Sequence, residues 1–87
     1  MRKEADRTYT NLMIIRQLAM TKGRVSVAQI HEVIEPKMGI TKRSVQRYMK
    51  HLEVWGLVRG DGEFPQGFSL TLQAKQLISD MNSVVAL

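Results

Sequence analysis

The chain has 87 residues, a formal net charge of +5 at neutral pH and no cysteine. That length allows one domain built around a single hydrophobic core. The lack of cysteine excludes disulfide scaffolds and every site that needs a thiolate, including cysteine-based zinc sites. No apolar run is long enough to cross a bilayer, and the first residues lead into no signal-peptide core. We therefore expect no membrane contact and a cytoplasmic location.

The positive charge is concentrated in one short segment. Residues 37–50 contain five cations and no acid, whereas the eight cations and eight acids elsewhere cancel. Scattered extra charge is typical of solubility tuning, but a surplus confined to one segment indicates a site that meets a polyanion. The five cations are Lys37, Lys42, Arg43, Arg47 and Lys50.

The first third of the chain predicts two helices after a flexible arm at residues 1–7. The first helix runs from about Tyr9 to Thr21, with Thr8 as its N-cap and an inner face that comprises Leu12, Ile15 and Ala19.

A short strand at Arg24–Val25 follows the first helix. Ser26 and Gln29 have the spacing of a capping box, which predicts the start of a second helix. Pro36 is expected to end that helix, because proline lacks the backbone N–H that a helix interior requires.

The cationic segment predicts a third helix, from Lys42 to about Trp55 within a recognition unit at residues 41–56. Thr41 is a favourable N-cap, and Gly56 is placed to close the helix. At about 100° per residue, one face carries the apolar residues and Arg43, Arg47 and Lys50 lie about 140–200° from Val45. The apolar face comprises Val45, Met49, Leu52, Tyr48 at its margin, and Trp55, which is expected to pack in the core.

The remainder predicts a wing at residues 57–70 and a C-terminal helix at 71–87. Val58–Arg59 and residues 68–70 flank a turn-rich loop and can pair as a hairpin. Thr71 is the expected cap of the last helix. Its apolar stripe comprises Ala74, Leu77, Ile78, Met81, Val84 and Val85.

Residues 40–58, which read ITKRSVQRYMKHLEVWGLV, resemble the recognition helix of DeoR-type winged helices. They look most similar to the N-terminal modules of WYL-domain regulators, and GFSLT at 67–71 resembles the last wing strand of such domains. The resemblance implies a mainly α fold with a small β-hairpin wing, a winged helix-turn-helix. Two features depart from the pattern: Tyr48 replaces an acid, and the segment at 35–40 is longer than the usual turn.

The charge pattern and the resemblance together predict binding to double-stranded DNA. Helix 42–55 would enter the major groove, where cationic and amide side chains reach base edges. Lys37 and Lys50 flank the cluster and suit phosphates, as does Arg59 on the wing, although the wing also carries Asp61 and Glu63. The predicted DNA-binding residues are Lys37, Thr41, Lys42, Arg43, Ser44, Gln46, Arg47, Lys50 and Arg59.

Catalytic and metal chemistry find no support in the residues. His31 and His51 lie on different predicted helices, and His31 has only Glu35 as an i, i+4 surface partner. No nucleophile–base pair, paired carboxylates or phosphate loop is present. We therefore expect no enzyme activity, no cofactor and no small-molecule effector.

The first and last helices carry more apolar residues than a small core can bury, which favours a homodimer. The predicted interface residues are Met13, Ile14, Met81, Val84 and Val85. A two-fold dimer would read a near-palindrome with recognition helices about one DNA turn apart.

The leading interpretation is a small sequence-specific transcriptional regulator of a bacterial or phage-like kind. It would act in the bacterial cytoplasm or nucleoid as a repressor that occupies an operator. Two alternatives stay open: a winged-helix protein-interaction module that binds no DNA, and an excisionase-like architectural protein that bends its site.

Overall fold

The computed structural model describes residues 2–21, 23–63 and 66–85, without the side chains of residues 2, 3 and 83–85. These residues form helices α1 to α4 and strands β1 to β3. In chain order the elements are α1 (Arg2–Met20), β1 (Val25–Ser26), α2 (Val27–Met38), α3 (Lys42–Val54), β2 (Val58–Gly60), β3 (Gly67–Leu70) and α4 (Leu72–Val85).

The three strands form one antiparallel sheet with β3 in the middle. On one side of β3, Val25 pairs with Phe68, and on the other side Val58 pairs with Leu70. The predicted hairpin is confirmed, and the predicted short strand lies one residue later than expected. Helices α2 and α3 with this hairpin give the winged helix-turn-helix architecture that the sequence predicts.

The core lies where α1, α2, α3 and the sheet converge. The predicted inner face of α3 is confirmed, because Val45, Met49 and Leu52 are all buried. The predicted inner face of α1 is wrong for Leu12 and Ala19, which are exposed, whereas Ile15 is half-buried against the core. Ile14 and Leu18 are the α1 residues that occupy the core. The buried cluster comprises Ile14, Leu18, Val25, Ile30, Ile34, Val45, Met49, Leu52, Val58 and Phe68.

The start of α1 differs from the expected arm. The helix begins at Arg2, so residues 2–7 are helical and Thr8 is an interior residue rather than an N-cap. Residues 2–7 include good helix formers and no glycine or proline, and Glu4 in the first turn interacts favourably with the helix dipole. Met1 lies outside the described residues.

The two ends of α2 follow different rules. The predicted capping box is present: the Ser26 hydroxyl accepts the Gln29 N–H at 3.2 Å, and the Gln29 side chain accepts the Ser26 N–H at 2.8 Å. Pro36 does not end the helix as predicted. It lies on an exposed face close to the C-terminal end, where its missing N–H removes only one hydrogen bond of the helix. Gly39 ends it in the left-handed region, with φ at 64°.

Helix α4 starts on the wing and continues beyond the core. The predicted cap is confirmed: the Thr71 hydroxyl accepts the Ala74 N–H at 3.1 Å and donates to the Gly56 carbonyl at 2.6 Å. Ala74 is buried against the domain, but Leu77 and Met81 further along the predicted stripe are 49% and 50% exposed. The domain therefore covers only the first part of this stripe.

Candidate nucleic-acid interface

Thr41 caps the start of α3. The Thr41 hydroxyl accepts the Ser44 N–H at 3.1 Å and donates to the Ser44 hydroxyl oxygen at 3.2 Å. With the opposite face buried, the helix presents its polar residues to solvent. The predicted contact residues Lys42, Arg43, Gln46, Arg47 and Lys50 are all exposed, and Ser44 is half-buried.

A histidine fixes the turn that leads into α3. The Nε2 atom of His31 on α2 lies 3.1 Å from the carbonyl oxygen of Ile40. A carbonyl only accepts, so Nε2 is the protonated, donating nitrogen in this contact. The predicted surface pair with Glu35 is absent from the hydrogen bonds and ion pairs found among the described residues. His31 instead connects the middle of α2 to the residue just before the N-cap of α3.

An open groove separates α3 from the wing, and we call it the wing groove. Its volume is about 710 Å³. Lys42, Gln46 and Lys50 line its α3 side, and Glu63 and Gln66 line its wing side. The Gly60 N–H on the wing donates to Glu53 Oε2 of α3 at 3.3 Å. The wing is thus attached to the helix that it flanks.

A second groove lies on the opposite flank of α3, next to the start of α1, and we call it the α1 groove. Its volume is about 370 Å³, and it is lined by Arg7, Ser44, Arg47, Tyr48 and His51. Tyr48 is half-buried and packs against the core while it also lines this groove. The sequence pattern does not indicate Arg7 as a site residue, because it predicts a flexible arm at residues 1–7.

Four predicted contact residues line neither groove. Thr41 and Arg43 belong to the start of α3, whereas Lys37 and Arg59 lie on other elements. Lys37 is exposed in the last turn of α2, where a cation interacts favourably with the helix dipole. Arg59 is exposed on β2, opposite Ser69 of β3. The structure therefore brings together the α3 residues and leaves Lys37 and Arg59 at the periphery.

The two acids of the wing, Asp61 and Glu63, have different surroundings. Asp61 pairs with the guanidinium of Arg24, and its Oδ1 atom accepts the Glu63 and Gly67 N–H groups at 3.0 Å each. The hydrogen bond from Arg24, followed by these backbone bonds, lowers the pKa of Asp61 well below its ordinary value. The Asp61 carboxylate therefore binds groups of the protein itself, whereas Glu63 lines the wing groove.

Trp55 does not pack in the core as predicted. It is 57% exposed, and its ring stacks on His51 with centroids 6.2 Å apart and planes 27° apart. Trp55 is the C-cap residue, at the edge of the apolar face where the chain turns away. Its ring lies against the residue one turn earlier because helical side chains point toward the N-terminus.

The residues predicted for the dimer interface differ in how far they are buried. Ile14 is wrong as an interface residue, because it is fully buried inside the domain. Met13 is half-buried against the core, and Met81 is half-exposed. The side chains of Val84 and Val85 lie outside the described residues.

Metal-binding clusters and membrane-spanning helices are both absent from the described residues. Across residues 2–21, 23–63 and 66–85, no three carboxylate or imidazole side chains come together as a metal site. Within these ranges, no helix has both the length and the apolar character needed to span a membrane.

The fold and its exposed cationic helix define a winged helix-turn-helix domain. The sequence matches no family model and no curated protein. Among solved structures, the chain is similar to the reduced form of the transcriptional regulator YodB from B. subtilis, with a TM-score of 0.66 and 25% sequence identity. The match covers 87% of this chain and 74% of that one. The finer resemblance to DeoR-type and WYL-domain regulators stays a prediction.

Proposed function

We propose that this chain is a sequence-specific, double-stranded DNA-binding transcriptional regulator that represses by occupying its operator. The observation that carries the proposal is the exposure of the cationic face of α3, whose opposite face is buried. A helix that is packed on one side and cationic on the other fits the width of the major groove. The similarity to YodB, which is described as a transcriptional regulator, supports the same role.

Within this proposal some α3 side chains contact bases and others contact phosphates. Arg43 or Arg47 on the outer ridge pairs with guanine, and Gln46 pairs with adenine. Lys42 and Lys50 along the wing groove meet phosphates, with Lys37 and Arg59 further out.

The start of α3 supplies a further phosphate contact through its backbone. Thr41 already satisfies the Ser44 N–H, so its hydroxyl serves the cap rather than a base. The N–H groups of Lys42 and Arg43 in the first turn have no acceptor within the helix, and they point toward the ligand that would lie against it.

The proposed regulator is a homodimer that uses the uncovered part of α4. Leu77 and Met81 expose about half of their surface on the side that the domain does not cover. Joining two such faces buries apolar surface and places two copies of α3 about one DNA turn apart. Val84 and Val85 continue this stripe in the sequence, and Met13 of α1 is the remaining candidate from the first helix.

Selection of bound duplexes from a random DNA pool tests the proposal. The expected result is enrichment of one sequence with two-fold symmetry and half-sites about one helical turn apart. Recovery of the pool without enrichment, at a salt concentration where binding is retained, would contradict sequence-specific recognition. The selected duplex is then the probe for all variants.

One observation favours a second function, which is binding of a protein partner. The contact between Thr71 and Gly56 places the start of α4 beside the end of α3, where Val54, Trp55 and Leu72 are strongly exposed. Aromatic residues of this kind are common at protein interfaces. A stable protein complex formed by a chain that shifts no duplex at low salt would favour this function over DNA binding.

A further inference from the structure

We propose that the α1 groove is a phosphate clamp, in which Arg7 and Arg47 bind a DNA backbone phosphate. That phosphate belongs to the DNA strand on the side of α3 that faces away from the wing. This inference rests on the proposed DNA-binding function and deepens it. It assigns a contact to the N-terminal half of α1. Of the two arginines considered for guanine, it gives Arg47 a phosphate and leaves Arg43 for the base.

The argument starts from the two flanks of α3. Measured from Val45, Lys42 and Gln46 lie at about 60° and 100° around the helix, whereas Arg47 and His51 lie at about 200° and 240°. The first pair lines the wing groove, and the second pair lines the α1 groove. A helix in the major groove has one phosphate strand on each side, so each flank faces a different strand.

The groups in the α1 groove suit an anion. Two guanidiniums line it, and none of its five lining residues is acidic. Guanidinium groups present a planar fork of donors that matches phosphate oxygens. Bringing two such cations to one groove is unfavourable until an anion lies between them.

Neutral donors complete the groove. The Ser44 oxygen accepts a hydrogen bond from Thr41, which leaves the Ser44 hydroxyl hydrogen for an acceptor in the groove. Tyr48 also lines the groove, and its side chain carries a second neutral hydroxyl donor. Arginine side chains and hydroxyl groups commonly donate hydrogen bonds to phosphate oxygens in protein–DNA complexes.

The test compares Arg7→Ala with Arg16→Ala on the selected duplex and on an unrelated duplex. Arg16 is an exposed cation of the same helix, about 13.5 Å further along and about 180° around it, so it removes the same charge elsewhere. Fluorescence anisotropy at several salt concentrations gives both the affinity and its salt dependence.

The expected result is a loss of affinity of about 5- to 10-fold for Arg7→Ala near 0.1 M salt, equal for both duplexes. The slope of log affinity against log salt should fall by about 0.9 in magnitude. Arg7→Lys should keep most of that slope, and Arg16→Ala should change affinity by less than about twofold. Circular dichroism of Arg7→Ala should match the wild type, because the side chain is exposed.

Three results would overturn the clamp. Arg7→Ala and Arg16→Ala could have equal affinities and equal salt slopes while the wild type still prefers the selected duplex. That result would contradict the clamp and leave the proposed function intact. A loss confined to the selected duplex makes Arg7 a base-reading residue instead of a phosphate ligand. A wild-type chain that retains no duplex in the selection contradicts the proposed function and the clamp together.

Discussion

Arg24, just before β1, and Asp61, at the tip of the wing, form an ion pair across 37 positions of sequence. The pair connects the strand that precedes the helix-turn-helix to the hairpin that follows it. Gly67 lies directly beneath the arginine: a Cβ atom added there would lie 2.8 Å from the Arg24 Cβ. The wing is therefore positioned by a side-chain contact as well as by the sheet.

Asp61 makes the stability of the wing dependent on pH. Its pKa is lowered from the ordinary value of 3.8, chiefly by the hydrogen bond from Arg24. A carboxylate whose pKa is lower in the folded protein than in the unfolded chain stabilises the fold. This stability is fully present above the pKa of the unfolded chain and is lost as the pH falls through the pKa of the folded protein. We expect Asp61→Asn to unfold at lower urea than wild type at pH 7, with a difference that narrows below about pH 4.

Glu63→Gln is the matched control for this prediction, because Glu63 is an exposed carboxylate two residues away. The urea midpoint of Glu63→Gln should stay close to that of the wild type at pH 7 and at pH 3. A constant difference between Asp61→Asn and wild type from pH 7 to pH 3 would show that the ionised carboxylate is not the stabilising group.

Gly67→Ala should act through the same arginine. The new methyl group would also lie 2.8 Å from the Arg24 Cζ, so the guanidinium must move away from Asp61. We expect a loss of about 1–3 kcal/mol in the free energy of unfolding. In a double-mutant cycle the effects of Gly67→Ala and Asp61→Asn should be less than additive, because both disrupt one contact. Strict additivity would argue against this coupling.

His31 should stabilise the turn before α3. His31→Ala removes the donor to the Ile40 carbonyl, at a cost of about 1 kcal/mol in unfolding free energy. DNA affinity should fall as well, since the turn sets the position of α3. Glu35→Ala is the control, because the Glu35 side chain is exposed on the same helix. Equal effects of the two substitutions would support the surface pair predicted from sequence instead.

The dimer prediction is tested on α4. Leu77→Glu and Met81→Glu place charges on the half-exposed stripe and should shift sedimentation from dimer to monomer. Leu72→Glu is the control on the same helix, because Leu72 is 82% exposed at its first turn. Persistence of the dimer in both variants would move the interface away from this stripe.

The parts of the fold that the sequence predicted well depend on local interactions. Thr41 and the spacing of Val45, Met49 and Leu52 determine where α3 starts and which face it buries. Both features act within one or two helical turns, so periodicity and capping are sufficient to find them. The exposed cationic ridge of α3 follows from the same pattern.

The parts that were missed depend on contacts between distant segments. Helix α1 has apolar residues on more than one face, so its periodicity did not distinguish Ile14 from Leu12 as the core residue. Arg24 and Asp61 lie too far apart in sequence for any local pattern to pair them. Arg7 reaches the candidate site only because α1 begins at Arg2 and lies beside α3.

The most direct test of the central claim is the affinity of Arg43→Ala plus Arg47→Ala for the selected duplex. The matched control is Arg16→Ala plus Lys75→Ala, which removes two exposed cations from α1 and α4. We expect the α3 variant to lose about 1–3 kcal/mol of binding free energy per arginine, and the control to stay near the wild-type value. Equal affinities for the two double variants would show that α3 is not the recognition helix.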